Sequence, residues 1–209
     1  MNTLQTRILD AALPMVVFDG WTTATLEKAA DSLSLSAFDA KRAFPGGVEE
    51  ALALFSARAD ATMVEHLRQD YKLSAMKIRE RIATAVMVRL RQQSPQREAI
   101  RRAIGFYALP WNAPAGLKAL YATVDAMWRE AGDTSTDYNF YTKRALLAGV
   151  LKTTVGVWLD DTSEDLTETE SFLRRRIENV MQIEKAKASF RDRASKLDDW
   201  LPGFMKAGV

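Results

Sequence analysis

Apolar residues recur along most of the chain at steps of three and four positions, the spacing of one face of an α-helix. The sequence shows no convincing series of alternating strands joined by hairpin turns. We therefore predict an all-α fold of ten helices. Between chain-breaking residues they cover 3–18, 23–33, 37–43, 48–70, 74–91, a sixth helix that starts at Pro95, a seventh from about Pro114 to Gly132, an eighth from Ser135 or Thr136 to about Leu159, a ninth that starts near Thr167, and a tenth over 186–206.

Short-range signals support two of these helix starts. Ser36 with Asp39 is an N-cap arrangement for the third helix, because a serine oxygen at this position accepts a free amide of the first turn. Thr167 with Glu170 has the capping-box spacing for the ninth helix. The acids at 160–161 and 164–165 are interpreted as a solvated loop before that helix.

The composition is that of an ordinary soluble globular protein, with 47% hydrophobic and 27% charged residues and a net charge of +2. No apolar run approaches the length of a membrane-spanning helix. The chain has no cysteine, which excludes disulfides, zinc–thiolate sites, iron–sulfur clusters and thiol nucleophiles. Because the first residues match neither a secretory signal nor an organelle transit peptide, we expect a protein of the bacterial cytoplasm or a chain that has already been processed, and we favour the first.

Candidate catalytic residues are few. His66 is the only histidine, and it lies on a long charged helix where a solvated surface position is expected. Asp125, Asp133 and Asp137 could form a carboxylate site, but helix capping explains at least one of them. No glycine-rich phosphate loop follows a strand. We therefore predict no enzymatic activity, no cofactor and no metal site.

The order of the first helices is that of a DNA-binding regulator. The stretch TLEKAADSLSLSAFDAKRAFPGGVEEAL resembles the helix-turn-helix of tetracycline-repressor-type regulators, and the likeness extends over residues 7–55. This resemblance implies a helical bundle behind an N-terminal subdomain, which we place at 1–46. It also implies an alternative function, that of a transcriptional regulator whose bundle senses a hydrophobic ligand.

The charge of this subdomain argues against DNA binding, because affinity for DNA comes mainly from cations that neutralise phosphates. Residues 1–46 contain four cations and five acids, a net charge of −1. Asp39 occupies the predicted recognition helix, and Gly46-Gly47 stands where such regulators usually place a lysine. We therefore predict a vestigial helix-turn-helix and no nucleic-acid partner.

The second half of the chain carries a more specific resemblance. VDAMWREAGDTSTDYNFYTKRALLAGVL at 124–151, MKIRERI at 76–82 and FLRRRIENVM at 172–181 closely resemble the coenzyme Q nine family of ubiquinone-biosynthesis accessory proteins. This resemblance implies a repressor-like fold without DNA binding. It also implies that an isoprenoid lipid or quinone intermediate is carried in the bundle and presented to a ubiquinone-pathway hydroxylase.

By the same resemblance, Met127, Phe140 and Tyr141 lie on the surface that docks the partner. Aromatic residues and methionine beside arginine, here Arg144, are the types enriched at interface centres. Met127 and Trp128 point to opposite sides of their helix, so one of them fills the core, and we expect this to be Trp128.

The bundle helices are apolar over much of their circumference, and this pattern is compatible either with a packed core or with a lined cavity. The resemblance favours the cavity. The predicted lipid-binding residues are Leu120, Val124, Leu147, Val150, Leu151, Val155, Trp158 and Phe172.

The last segment, 184–209, is an aromatic amphipathic helix with six cations and four acids. Such a helix suits an anionic membrane surface, although packing on the protein itself or across a dimer fits the pattern equally well. The resemblance favours membrane binding, with the protein located at the periphery of the bacterial inner membrane. The residues of this segment that are predicted to contact the membrane are Phe190, Leu197, Trp200, Leu201 and Phe204. The intervening residues 47–183 are assigned to lipid binding and to formation of a homodimer.

Overall fold

The computed structural model describes residues 3–136 and 138–182, in which helices are joined by short turns and no strand occurs. The all-α prediction is confirmed. The helices are α1 (Leu4–Asp19), α2 (Thr23–Asp31), α3 (Ala37–Ala43), α4 (Gly47–Asp70), α5 (Ile78–Gln92), α6 (Arg97–Tyr107), α7 (Ala113–Glu130), α8 (Tyr138–Asp160) and α9 (167–182). Within the described ranges, none of these helices is long and apolar enough to cross a membrane.

Helices α1 to α3 pack around a first apolar core with the start of α4 and part of α6. Trp21 lies at its centre, 5.6 Å from the ring of Phe55. The Trp21 indole Nε1 donates to the Ala99 carbonyl at 2.9 Å, which joins the N-terminal helices to α6. The subdomain predicted at 1–46 therefore shares its core with later helices.

A second apolar core lies between α4, α5, α7, α8 and α9. Helix α4 belongs to both cores, since Leu52 packs in the first and Met63 in the second. Within the bundle, Asp60 of α4 accepts hydrogen bonds from Arg89 of α5 and Thr123 of α7. Burial raises the pKa of Asp60, although Arg89 opposes that effect.

The third helix begins as predicted. Ser36 Oγ accepts from the Asp39 amide at 3.2 Å, and the Asp39 carboxylate accepts from the Ser36 amide at 3.0 Å. Asp39 also receives a hydrogen bond from Arg42. The Asp39 carboxylate therefore caps the helix to which it belongs.

Two predicted helix starts were wrong. Helix α5 begins at Ile78 instead of Ser74, because Met76 and Lys77 are extended and end a short 3-10 turn. Pro95 lies in a separate 3-10 turn, Ser94–Gln96, so that α6 begins at Arg97.

Helix α9 is also capped differently from the prediction. Its first amides donate to residues of the preceding loop: Thr169 N to Asp161 Oδ2 at 2.8 Å and Glu168 N to Ser163 Oγ at 3.1 Å. Glu170 instead pairs with two arginines, Arg174 and Arg91. Asp161, interpreted from sequence as solvated, is only 2% exposed.

Candidate functional site

A cavity of about 1060 Å³ opens between the start of α5, the end of α7, the first half of α8 and the end of α9. This volume is at the upper end of the range of small-molecule pockets. Most of its wall is apolar. The apolar lining consists of Ile78, Ile82, Trp128, Leu146, Leu147, Val150, Ile177, Val180 and Met181.

The rest of the cavity lining is polar. The loop 132–136 and the first turns of α8 contribute hydroxyl, amide and charged groups, and the start of α5 contributes Lys77 and Arg79. The cavity thus combines an apolar wall with these polar lining groups, which we call the polar rim. Such a site fits a molecule that has an apolar chain and a polar head.

The polar rim is built on a buried ion-pair network centred on Arg144. The Arg144 side chain is 2% exposed, and its Nε donates to Asp125 Oδ1 at 2.7 Å. Its Nη1 donates to Asp133 Oδ2 at 3.0 Å and to the Phe140 carbonyl at 3.1 Å. The guanidinium carbon lies 3.4 Å from the centre of the Phe140 ring, a cation–π contact. Arg144 therefore joins α7, the following loop and α8.

Asp133 is the second centre of this network. Lys143 Nζ donates to its Oδ1 at 2.8 Å, and the Ser135 hydroxyl donates to the same oxygen. Burial by itself would raise the pKa of Asp133, but hydrogen bonds from Lys143, Ser135 and Arg144 outweigh it and hold the pKa well below its usual value. The carboxylate stays ionised and orients the loop beside the cavity.

The end of α7 is fixed from the opposite side by Arg81. Its Nη1 donates to the Ala131 carbonyl at 2.8 Å, and its Nε donates to the Met76 carbonyl at 3.0 Å. Gly132 follows with φ +88°, a conformation that disfavours any residue with a Cβ. The predicted end of the seventh helix at Gly132 is thereby confirmed. The Gly132 conformation and the Arg81 hydrogen bond together fix where the loop 132–136 leaves the helix.

The cavity contains only part of the predicted lipid-binding set. Leu147 and Val150 line it. Val124, Leu151 and Trp158 are instead packed inside the second core at 0–4% exposure, and Leu120 and Val155 pack against that core. Phe172 stacks with Arg176 and is not among the lining residues. Periodicity identified the apolar face of each helix but could not tell a packed side from an open one.

Only part of the predicted docking surface is exposed. Met127 is 0% exposed and Arg144 is buried, so their prediction as surface contacts is wrong. Trp128, expected in the core, is half-buried against it and also lines the cavity, and its Nε1 donates to the Lys143 carbonyl at 3.1 Å. Tyr141 is 65% exposed, and Phe140 lies half-buried between it and Arg144.

Several cavity residues were not predicted, namely Ile78, Ile82, Val180 and Met181. They lie at a helix start and a helix end, where the hydrophobic pattern is short. The resemblance at 76–82 and 172–181 was the available signal, since both segments line the cavity.

The other candidates have ordinary positions. His66 is exposed on α4, as predicted. Asp125 and Asp133 converge on Arg144, which makes them partners of a cation instead of a carboxylate pair. No group of three or more potential metal ligands occurs in ranges 3–136 and 138–182. Asp137 and the predicted membrane contacts of 184–209 lie outside the described residues.

Residues 113–184 match the COQ9 family model. The ubiquinone biosynthesis protein COQ9, mitochondrial, of Xenopus tropicalis is 37% identical over 99% of this chain and 66% of that protein. COQ9-B of Xenopus laevis is 37% identical over 99% of this chain and 71% of that protein. The human protein is 37% identical over 86% of this chain and 58% of its own length. The chain thus spans between 58% and 71% of the length of these relatives.

These relatives overturn one expectation. They are named mitochondrial proteins, so the prediction of a bacterial cytoplasmic protein peripheral to the inner membrane is wrong. The composition of the first residues was not a sufficient basis for assigning a compartment.

A solved structure with the same fold is the TetR transcriptional regulator from Nitrosomonas europaea ATCC 19718. It matches with a TM-score of 0.67 at 20% identity, over 83% of this chain and 95% of that chain. At this identity the likeness concerns the fold alone, and it confirms the predicted tetracycline-repressor-like bundle.

Proposed function

The chain belongs to the COQ9 family, and from this premise we propose that it is a non-enzymatic accessory protein of ubiquinone biosynthesis that binds an isoprenoid quinone intermediate and presents it to a pathway hydroxylase. Family membership supports the role in ubiquinone biosynthesis. The cavity supports the lipid-carrying role. Its apolar wall suits an isoprenoid chain, and the hydroxyl and amide groups of its rim suit a quinone head.

The observation that carries this proposal is the position of the cavity within the family signature. Residues 124–151 contribute Trp128, the loop 132–136 and six residues of α8 to its wall. The Arg144 network that shapes the rim lies in the same segment. One stretch of sequence thus supplies both the apolar wall and the polar groups of a single site.

Filling the cavity is expected to remove the lipid. Leu146→Trp places an indole in space that the bound chain would occupy, and we expect a loss of about tenfold or more in affinity, which corresponds to about 1.4 kcal/mol or more. The measurement is mass spectrometry of organic extracts from equal amounts of purified protein. Ala145→Trp on the exposed side of α8 is the matched control and is expected to retain the lipid. An unsubstituted protein that yields no prenyl lipid would contradict the proposal.

Partner docking is proposed at the start of α8, where Tyr141 is exposed beside Phe140. Tyr141→Ala is expected to weaken hydroxylase binding by more than about tenfold, because exposed tyrosines often dominate interface energies. The comparison is the dissociation constant of lipid-loaded protein with and without the substitution. Phe18→Ala, which removes another exposed aromatic, is the control. Equal weakening by both variants would count against this surface.

Two further features of the proposed function remain predictions. A homodimer built on residues 47–183 is expected, and sedimentation of the purified chain tests it. The segment 184–209 is proposed to hold the protein against an anionic membrane surface, which fits its aromatic and cationic composition.

A further inference from the structure

Exposed apolar side chains gather where α6 turns into α7. Trp111 is 74% exposed and Leu117 67% exposed. Ile104 and Leu109 precede them in the chain, and Tyr121 follows one helical turn after Leu117; all three are exposed. We call these five residues the hairpin patch. Apolar surface concentrated in this way on a folded protein usually marks an interaction site.

The hairpin that carries the patch has a closely packed base. Asn112 Nδ2 donates to the Phe106 carbonyl at 2.9 Å. A Cβ added to Gly116 would lie 2.8 Å from the ring of Tyr107, so only glycine allows α6 and α7 to approach this closely. Trp111 therefore extends from a turn whose own packing does not require it.

The patch is separate from the cavity. Helix α7 has 18 residues and is about 27 Å long at 1.5 Å per residue. The hairpin patch lies at its N-terminal end, whereas Trp128 and the loop 132–136 line the cavity at its C-terminal end. The cavity therefore does not account for the exposed apolar residues of the hairpin.

The segment that carries the patch has few charges. Residues 103–124 contain no acid and a single cation, Lys118. Just before this range, Arg101 and Arg102 pair with Glu98, and Arg101 also pairs with Asp160, so these arginines add little free positive charge beside the patch. An anionic lipid surface attracts Lys118 by about 1 kcal/mol, and no acid within 103–124 opposes that attraction.

We propose that the hairpin patch is a membrane-docking surface that inserts Trp111 and Leu117 into the headgroup region of an anionic bilayer. Tryptophan and tyrosine favour this interface because each has an apolar ring and one polar group. Pro110 and Trp111 stand in the turn between α6 and α7. In this orientation the apolar groups enter the bilayer first, and Lys118 lies at the level of the lipid phosphates. This contact lies on the folded body of the protein and does not depend on residues 184–209.

The absence of cysteine allows a direct test in the full-length chain. Trp111→Cys is labelled with an environment-sensitive fluorophore and mixed with vesicles of phosphatidylcholine alone or with about one third phosphatidylserine. The control label is placed at His66→Cys, which is exposed on α4. We expect a blue shift and protection from a water-soluble quencher at position 111 on anionic vesicles, and neither change at position 66.

Three results would overturn the proposal. The first is a label at position 111 that stays in water while the protein co-sediments with vesicles, since membrane contact would then lie elsewhere, as in 184–209. The second is protection that grows with protein concentration without vesicles, which would assign the patch to a second copy. The third is protection that appears only when the hydroxylase is added, which would assign it to that protein.

A charge substitution provides an independent measurement. Trp111→Glu combined with Leu117→Glu is expected to lower the vesicle partition coefficient of the full chain about tenfold or more. Thr62→Glu combined with His66→Glu makes the same charge change on exposed positions of α4 and is expected to have a much smaller effect. Equal losses in both variants would show that net charge alone controls binding. Because lipid extraction reports on the cavity, failure of this proposal is distinguishable from failure of the proposed function.

Discussion

Replacing Arg144 with alanine is expected to lower the free energy of unfolding by about 3–5 kcal/mol, because removal of one partner leaves buried charges without compensation. Arg144 is 2% exposed, and Asp133, which it contacts at 3.0 Å, is 4% exposed. The same substitution removes the donor to Asp125 Oδ1 at 2.7 Å. Urea unfolding followed by circular dichroism measures the change.

The chain offers a matched control for this substitution. Arg129 pairs with the other oxygen of Asp125 at 2.7 Å, but its side chain is 70% exposed. Arg129→Ala is therefore expected to cost less than about 1 kcal/mol, the usual value of a surface ion pair. If both variants unfold at the same urea concentration, the Arg144 network does not stabilise the junction between α7 and α8.

Loss of Arg144 is also expected to affect the cavity. The network holds Asp133, and Asp133 in turn holds Lys143 and Ser135 at the polar rim. Arg144→Ala should therefore reduce the lipid recovered from protein that remains folded, whereas Arg129→Ala should not. A full lipid load in folded Arg144→Ala protein would mean that the network serves stability alone.

Replacing Asp161 with alanine is expected to cost about 2–4 kcal/mol, since it removes a helix cap and leaves buried donors unpaired. The Asp161 carboxylate accepts from the amide and hydroxyl of Thr169 at 2.8 and 2.5 Å. It also accepts from the amide and hydroxyl of Ser163 at 2.8 and 2.5 Å. Asp160→Ala is the neighbouring control: its exposed pair with Arg101 is expected to contribute less than about 1 kcal/mol.

The contribution of Asp161 should depend on pH. Burial by itself would raise its pKa, but the hydrogen bonds from Ser163 and Thr169 outweigh it and lower the pKa to about 2 from 3.8. A lowered pKa stabilises the folded state above the unfolded value, and this contribution is lost as the pH falls through the folded value. The stability difference between the native chain and Asp161→Ala should therefore be largest near pH 7 and shrink between about pH 4 and pH 2. A constant difference across this window would contradict the assigned role.

The sequence alone was sufficient for the fold because its signals are local. Ser36 and Asp39 cap a helix from three residues apart, and Gly132 ends one through its own backbone conformation. The family signature at 124–151 was recognisable for a similar reason, because it is a continuous stretch of unusual composition. The net charge of 1–46 required only a count of residues.

The site depended on contacts that periodicity does not encode. An apolar residue at helical spacing packs against a neighbour or lines an opening according to where the next helix lies. Val124 and Val150 are both buried in the second core, but only Val150 also lines the cavity. Met127 is in the core instead of on the docking surface, and Trp128, half-buried against that core, also lines the cavity, for the same reason.

The charged residues show this difference most clearly. From the sequence we predicted Arg144 on the docking surface, because arginine beside aromatic residues is common at interfaces. Its partners Asp125 and Asp133 lie 19 and 11 positions earlier in the chain, and they meet it only when α7 and α8 pack together. Local pattern thus determined which segments of this protein form helices, while tertiary packing decided which side chains are buried, paired or open to a ligand. Pairing across helices depends on their relative placement, and the spacing of residues within one helix does not contain that information.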